Sequence, residues 1–390
     1  MRIFVLLPRV PYPLEKGDKL RAFNQVKELS KSNEIILCAL NPVKKLDKQK
    51  AFSSLQPYCR SVNFIDIPLP GRIWNTILAF FGNRPLQTGY FYNRKAARRI
   101  KNLIKYYKPD HLYCQLVRTA EYIKNIPVPK TLDYQDVFSY GAKRRMERSS
   151  FPMKQILKVE YLRLKEYENK IFDYFDHKTI ISKPDRDLIP HKKKEEITII
   201  PNGVDHQYFK PREETRTFDL VFTGNMGYPP NVDAAEFLTH EIMPEVWKIR
   251  PDTRLLLAGA TPDRKVKALH SNKIVVTGWL DDIRDAYASA KIFIAPMRIG
   301  TGLQNKLLEA MSMKIPSITT PLANDALQAK DGEEILLGKT AGELAGQILR
   351  LLNDDLFYEK IAENGHKFVK TNYDWAAATE KLNKLIRETV

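Results

Sequence analysis

The stretch Ala295–Pro321, APMRIGTGLQNKLLEAMSMKIPSITTP, continues an apolar run, Lys291–Ala295, that ends at Pro296. A glycine-bearing loop with Gly300 and Gly302 follows, then a helical pattern over about Leu303–Met313, then a second β-like run, Pro316–Thr320. Strand, loop, helix and strand in this order put the loop and the helix N-terminus at the carboxyl end of the first strand. There, backbone N–H groups and the helix dipole favour an anion, most often a phosphate. Arg298 and Lys306 bring positive charge to either side of the loop, and Glu309 falls on roughly the same helix face as Lys306. By themselves Lys306 and Glu309 read most simply as an exposed ion pair on an ordinary α/β helix, so the neighbouring sequence decides their meaning.

Outward from this stretch the same pattern recurs. Asp219–Thr223 reads as a strand, Gly224-Asn225-Met226-Gly227 as a glycine loop and Asn231–Trp247 as a helix. Arg254–Ala258 and Ile274–Thr277 are further strands, with Gly278-Trp279-Leu280 after the second and a helix through Asp285–Ala290. The chain start is built alike: strand Arg2–Leu7, a proline-rich loop running on to Gly17, a helix over about Lys19–Ser32, and strand Glu34–Leu40. His111–Val117 and Lys130–Tyr134 add strands, the latter bringing Asp133 and Asp136 to a carboxyl edge, where helix capping competes with catalysis as the role of Asp136. Such units imply parallel sheets with right-handed crossovers. At Pro201-Asn202-Gly203 a turn coincides with a change in charge balance. The expected fold class is therefore α/β, with two facing Rossmann-like parallel-sheet domains, 1–200 and 201–372, an interdomain cleft, and a closing helix over 373–390. No Gly-x-Gly-x-x-Gly with a downstream acid is present, so a nicotinamide site is not indicated.

The 390 residues carry a net charge of +17, and it is unevenly placed. Residues 1–200 hold 39 Lys and Arg against 20 Asp and Glu, whereas 201–390 hold 24 against 26. A basic first half points to nucleic acid or an anionic membrane surface, with a merely solvated charged face as the plainer alternative. Gly71–Asn93 crowds together Ile73, Trp74, Ile77, Leu78, Phe80, Phe81, Tyr90, Phe91 and Tyr92, next to a helix bearing Lys95, Arg98, Arg99, Lys101, Lys105 and Lys108. Basic residues beside exposed aromatics suit a membrane interface; aromatics turned into a core are the competing reading. No single-strand platform or helix-turn-helix pattern supports a nucleic-acid-binding module. Cys38, Cys59 and Cys114 form no Cys-x-x-Cys pair, which argues against a disulfide framework or zinc site and fits a reducing compartment. Met1–Pro8 is too short for a signal-peptide core or a membrane span, so a cytoplasmic location is expected. The histidines show no metal spacing, and Asp281-Asp282, heading a helix, reads as a cap.

Several segments together carry a family resemblance: Ile200-Pro201-Asn202-Gly203-Val204-Asp205, Phe222-Thr223-Gly224-Asn225, Gly278-Trp279-Leu280-Asp281-Asp282, Ile294-Ala295-Pro296 and Asn305-Lys306-Leu307-Leu308-Glu309-Ala310-Met311. In order and spacing they resemble glycosyltransferase family 4, of GT-B fold, in its bacterial exopolysaccharide and surface-glycan form, and the resemblance covers essentially the whole chain. It implies a retaining transfer of a sugar from a nucleotide-sugar donor, UDP- or GDP-linked, to a hydroxyl of a glycan or lipid-linked acceptor. The nucleotide-sugar is a substrate; no cofactor or metal is implied, and the membrane association would be peripheral, on the inner face of the cytoplasmic membrane. Glu309 matches the second acid of the family's Glu-x(7)-Glu motif, which grips the ribose hydroxyls. The first acid falls at Thr301, a departure that shifts sugar contacts to the backbone of Gly300, Thr301 and Gly302. Gly224 and Asn225 stand where the family places a diphosphate-binding Arg, so Arg298 and Lys306, with the amides of Leu303, Gln304 and Asn305, are expected to take that charge. Thr277, Gly278, Trp279 and Leu280 would cradle the base, and Gly17 would face the phosphates. Gln115 stands where some relatives carry a His, leaving Asp133 or Asp136 as the acid/base candidate. A sugar-nucleotide epimerase of the same fold is the competing enzyme reading.

Overall fold

The computed structural model describes residues 1–14, 17–43, 45–147, 149–300 and 302–388. It divides the chain into two compact units, Met1–Pro201 with Trp375–Val390, and Asn202–Asp374.

The first unit is built on strands β1 (Arg2–Leu7), β2 (Glu34–Asn41), β3 (Ser61–Asp66), β4 (His111–Gln115), β5 (Lys130–Asp133), β6 (His177–Ile180) and β7 (Thr198–Ile199), in the order β3-β2-β1-β4-β5-β6-β7. All pair in parallel, with Val5 opposite Leu37 on one side and Tyr113 on the other. Ile3 to Leu7 are fully buried, the continuous apolar run expected of a parallel strand covered on both faces. The strand order reverses between β1 and β4, the topological switch point at which open α/β sheets bind ligands. Around this sheet lie α1 (Gly17–Leu29), α2 (Leu69–Phe81), α3 (Leu86–Phe91), α4 (Arg94–Tyr107), α5 (Val117–Ile123), α6 (Phe138–Glu147) and α7 (Met153–Phe172).

The aromatic segment Gly71–Asn93 splits between the two readings its composition allows. Phe91 of α3 is core, while α2 turns Ile73, Trp74, Ile77, Leu78, Phe80 and Phe81 to the surface. Ala79 is the buried residue of α2, and a Cβ at Gly89 would come within 2.5 Å of its Cβ. The two helices thus meet through small residues, and the bulky side chains of α2 face outward. On α4, Ala96, Ile100 and Ile104 point inward at helical spacing and leave the lysines and arginines on the open side.

The second unit holds β8 (Phe218–Thr223), β9 (Leu255–Ala258), β10 (Ile274–Val276), β11 (Ala290–Ala295), β12 (Ser317–Thr319) and β13 (Leu336–Leu337), parallel in the order β10-β9-β8-β11-β12-β13. Helix α8 (Pro229–Phe237) runs through a π turn, Leu238–Ile242, into Met243–Trp247. Pro244, which has no N–H for the α ladder, is the second residue after that turn, a feature that apolar periodicity alone does not signal. Helices α9 (Ile283–Ala288) and α10 (Asn305–Ser312) flank β11 in sequence.

The last helix, α11 (Trp375–Arg387), belongs to the first unit. Its Leu382 and Ile386 are fully buried in one cluster with Val26 and Leu29 of α1, each stabilising by roughly 2 kcal/mol. Asn33 donates to Asn383 Oδ1 at 2.9 Å, and Lys381 Nζ reaches the Ile199 carbonyl at 2.9 Å, which fixes where the helix docks.

Candidate donor site

In the second unit the carboxyl ends of four neighbouring strands open into loops with glycines at positive φ: Gly224 after β8, Gly259 after β9, Gly278 after β10 and Gly300 after β11. Gly259 is forced by contact as well, because a Cβ there would lie 1.9 Å from the Gly224 carbonyl oxygen. Asn225 and Asn231 hold the first of these loops. Asn225 Oδ1 accepts from the Gly227 N–H at 3.0 Å and the Thr261 hydroxyl at 2.8 Å, and Asn231 Nδ2 donates to the Asn225 carbonyl at 2.9 Å.

Lys306 and Glu309, one turn apart on α10, do not form the simple ion pair. Lys306 Nζ donates to Asn231 Oδ1 at 2.6 Å and lies 4.6 Å from the Phe222 ring centre, and a Cβ on Gly224 would sit 3.2 Å from it. Among the described residues no carboxylate is within ion-pair distance of it. Burial pushes its pKa down to about 7, with the nearby Glu309 charge opposing the fall. Glu309 Oε2 instead accepts from the Tyr287 hydroxyl at 2.7 Å, and that hydroxyl also lies 2.8 Å from Thr223 Oγ1. Burial raises the Glu309 pKa, opposed by the Tyr287 hydrogen bond and Lys306. Ahead of them Asn202 Nδ2 donates to Asn305 Oδ1 at 3.1 Å, and the α10 N-terminus receives no side-chain cap among the described residues. An ammonium held by a neutral amide, next to uncapped helix N–H groups, is a charge arrangement that a bound diphosphate would complete.

The other expected site residues form two clusters and two single positions. Gly300, Gly302, Leu303 and Gln304 lead into this helix start; Leu303 rests partly buried against the core and Gln304 Nε2 folds back to the Gly302 carbonyl at 2.9 Å. Thr277, Gly278, Trp279 and Leu280 form the rim after β10, where Thr277 and the 61 % exposed Trp279 stand open beside a hollow also lined by Pro262, Lys267, His270 and Val276. Thr301 lies outside the described residues. Gly17 is exposed at the start of α1, in the first unit.

Three assignments are corrected by the geometry. Arg298 is turned to α8 and the π turn after it, where it pairs with Asp233 at 3.0 Å and Glu241 at 3.2 Å and stacks over Phe237, so its charge is already spent within the unit. Asp133 is fully buried: Arg21 donates to both of its oxygens, at 2.7 and 3.2 Å, Thr179 adds a third bond at 2.9 Å, and the Tyr113 hydroxyl is 3.0 Å away. A carboxylate so enclosed holds the first unit together and has no path to an acceptor proton. Gln115, 1 % exposed, gives its amide to Gln25 Oε1 at 2.7 Å in the same network. Asp136, by contrast, is exposed and accepts from the Val137 N–H at 2.7 Å just before α6. Asp282 caps α9 and is held well below the usual carboxylate range by Arg284.

Residues 217–354, within the second unit, match the family model described as glycosyl transferases group 1. The second unit is a group 1 glycosyl transferase domain. The chain is also 24 % identical over 394 residues, 96 % of each sequence, to an uncharacterized 44.6 kDa protein from the cps region of Klebsiella pneumoniae. Similar solved structures include sucrose-phosphate synthase from Thermosynechococcus elongatus, with a TM-score of 0.72, 15 % identity, and 100 % and 99 % of the two chains covered. HepE from Anabaena in complex with UDP gives a TM-score of 0.72 at 13 % identity, with both chains covered in full. At these identities the likeness gives the fold, which is GT-B. Within the glycosyl transferase domain, Tyr287 and Asn231 were not legible as site residues. Tyr287 sits in a short helix among alanines and Asn231 follows two prolines, and only the folded packing brings them to Glu309 and Lys306.

Proposed function

We propose that the protein is a retaining glycosyltransferase that moves a sugar from a UDP-sugar to a hydroxyl of a lipid-linked glycan during surface-polysaccharide assembly. The observation that carries this reading is the Lys306–Asn231 and Glu309–Tyr287 arrangement at the glycine-lined edge of the second sheet. Glu309 would accept from the vicinal ribose hydroxyls, a task suited to a carboxylate already aimed by a tyrosine. Lys306 and the α10 N–H groups would stabilise the charge that develops on the departing diphosphate. The leaving phosphate would take the acceptor proton on the same face, which retains the anomeric configuration and asks for no side-chain base. UDP is favoured over GDP by the HepE complexes with UDP and UDP-glucose, and the cps-region relative supports a polysaccharide setting. Charge compensation by Lys306 makes a divalent cation unnecessary in this scheme. The exposed apolar face of α2 beside the basic α4 fits a peripheral contact with an anionic membrane.

The test is UDP release from a panel of UDP-sugars mixed with a detergent extract of bacterial membranes. Release should need both sugar and extract, persist in a chelator, vanish in Lys306→Met, and give a product whose anomeric proton coupling matches the donor's. Inversion at the anomeric carbon, or loss of activity in chelator with recovery in manganese, contradicts the scheme.

A further inference from the structure

The first unit has its own cavity, about 740 Å³, within the usual size range of a small-molecule site. It lies at the carboxyl edge of the sheet where β2, β1 and β4 end, the switch point of the strand order. Its described lining includes Arg9, Lys19, Lys45, Arg72 and Arg118 and no carboxylate. Arg9 is paired with Asp18 at 3.0 Å, and Lys19 Nζ donates to the Tyr12 carbonyl at 3.2 Å.

Arg72 and Arg118 differ from these. Arg118 is clamped between the rings of Phe91 and Phe138, 4.9 and 4.5 Å from their centres, and it donates a hydrogen bond to the neutral Gln87 Oε1 at 3.2 Å. Its Nε is buried with no hydrogen-bond partner among the described residues, and so is that of Arg72, whose Nη1 donates to the Tyr90 hydroxyl. Among the described residues no carboxylate lies within ion-pair distance of either. Burial and the charge of Arg9 push the Arg118 pKa down to about 10, opposed by the more distant Asp18 and Asp136. A guanidinium Nε buried without a partner is costly, and two beside one cavity call for a ligand that accepts from them and brings the opposite charge. Planar guanidinium groups match phosphate oxygens in pairs.

Helix α2 ties this cavity to an apolar surface. Arg72 and Thr76, four residues apart, line the cavity, whereas Ile73, Trp74, Ile77 and Phe81 on the other faces are 50, 62, 43 and 82 % exposed. The apolar surface continues onto α7, whose Arg163 binds the Ala79 carbonyl at 2.9 Å and whose Ile156, Val159 and Leu162 are also exposed. One helix thus offers cations inward and hydrocarbon-compatible side chains outward. We propose that this cavity binds the phosphate-ester head of a lipid, with Arg118 and Arg72 on the phosphate oxygens and the hydrocarbon lying along α2. That this amphiphile is the acceptor rests on the transferase reading; the binding does not.

The test is calorimetric titration of the full chain with farnesyl diphosphate below its micelle concentration, farnesol, inorganic pyrophosphate and UDP. Farnesyl diphosphate should bind at least about ten-fold more tightly than pyrophosphate, and farnesol should not bind. Arg118→Gln and Arg72→Gln should each weaken farnesyl diphosphate about ten-fold or more while UDP affinity stays within two-fold, and Arg118→Lys should recover part of the loss. Ile77→Asp, on the exposed face, should abolish the advantage of farnesyl diphosphate over pyrophosphate without altering thermal stability. Equal binding of farnesol, unchanged binding in both Gln variants, or an equal loss of UDP affinity overturns the proposal, the last because it would assign the cavity to the donor. Lipid binding that passes these tests, with no sugar transfer from any donor, upholds the cavity and refutes the transferase reading instead.

Discussion

Lys306 is charged or neutral according to pH near neutrality, and only the ammonium can pair with a diphosphate. With its pKa held down to about 7, the charged form is lost as pH rises through that value. UDP affinity should therefore fall between pH 7 and 9, toward about ten-fold per pH unit, in a range where the phosphate ionisation near ~6 is already complete. Titrating UDP into wild type and Lys306→Met across this range checks the point; a variant that keeps the wild-type slope removes Lys306 from the explanation. Asp133 teaches the opposite lesson. At a strand end it has the sequence signature of a catalytic acid, but its partner Arg21 is 112 positions away and both side chains are fully buried. Nothing local in the sequence announces such a pair. Asp133→Ala leaves the guanidinium uncompensated and should cost about 3–5 kcal/mol, read as a lower urea midpoint. A stable but inactive variant would restore Asp133 to the catalytic machinery.

At the scale of elements, what was legible is what periodicity and punctuation record. Strand β1, helix α1 and the loop-to-α10 unit have their signals in contiguous sequence: an apolar run, a helical apolar stripe, glycines before Asn305. The partition of the α2–α3 segment did not follow from composition, because it depends on Gly89 meeting Ala79 across two helices. The expectation for Arg298 fails for a similar reason: a cation beside a glycine loop looks like a phosphate ligand until α8 supplies Asp233 and the π turn after it Glu241. The docking of α11 is likewise a matter of partners. Leu382→Ala opens a cavity in the α1 contact and should destabilise the first unit by about 2–5 kcal/mol in denaturant unfolding. A change below ~1 kcal/mol would mean that α11 contributes little to that unit.

At the scale of the whole molecule, the charge asymmetry of the sequence is the global feature that found a physical place. The basic first half carries the exposed apolar helix α2 and the cationic cavity, while the near-neutral second half carries the glycosyl transferase domain. Among the described residues no helix is long and apolar enough to cross a membrane, and the surface contact proposed rests on the exposed apolar side chains of α2 beside the basic α4. Vesicles containing anionic lipid should carry the protein upward in a flotation gradient at low salt, and Trp74→Asp with Phe81→Asp should leave it at the bottom. Flotation equal on neutral vesicles would discard the electrostatic part.

The central claim, that Glu309 and Lys306 divide a nucleotide between ribose and diphosphate, has a direct measurement: calorimetric affinities of UDP and of inorganic pyrophosphate for wild type and Glu309→Ala, with the pyrophosphate value read in Arg118→Gln to silence the first-unit cavity. The account predicts that Glu309→Ala weakens UDP about ten- to a hundred-fold and leaves pyrophosphate unchanged, because a charge-assisted pair of ribose contacts is lost and the phosphate contacts are not. Unchanged UDP affinity, or an equal loss for both ligands, would contradict it.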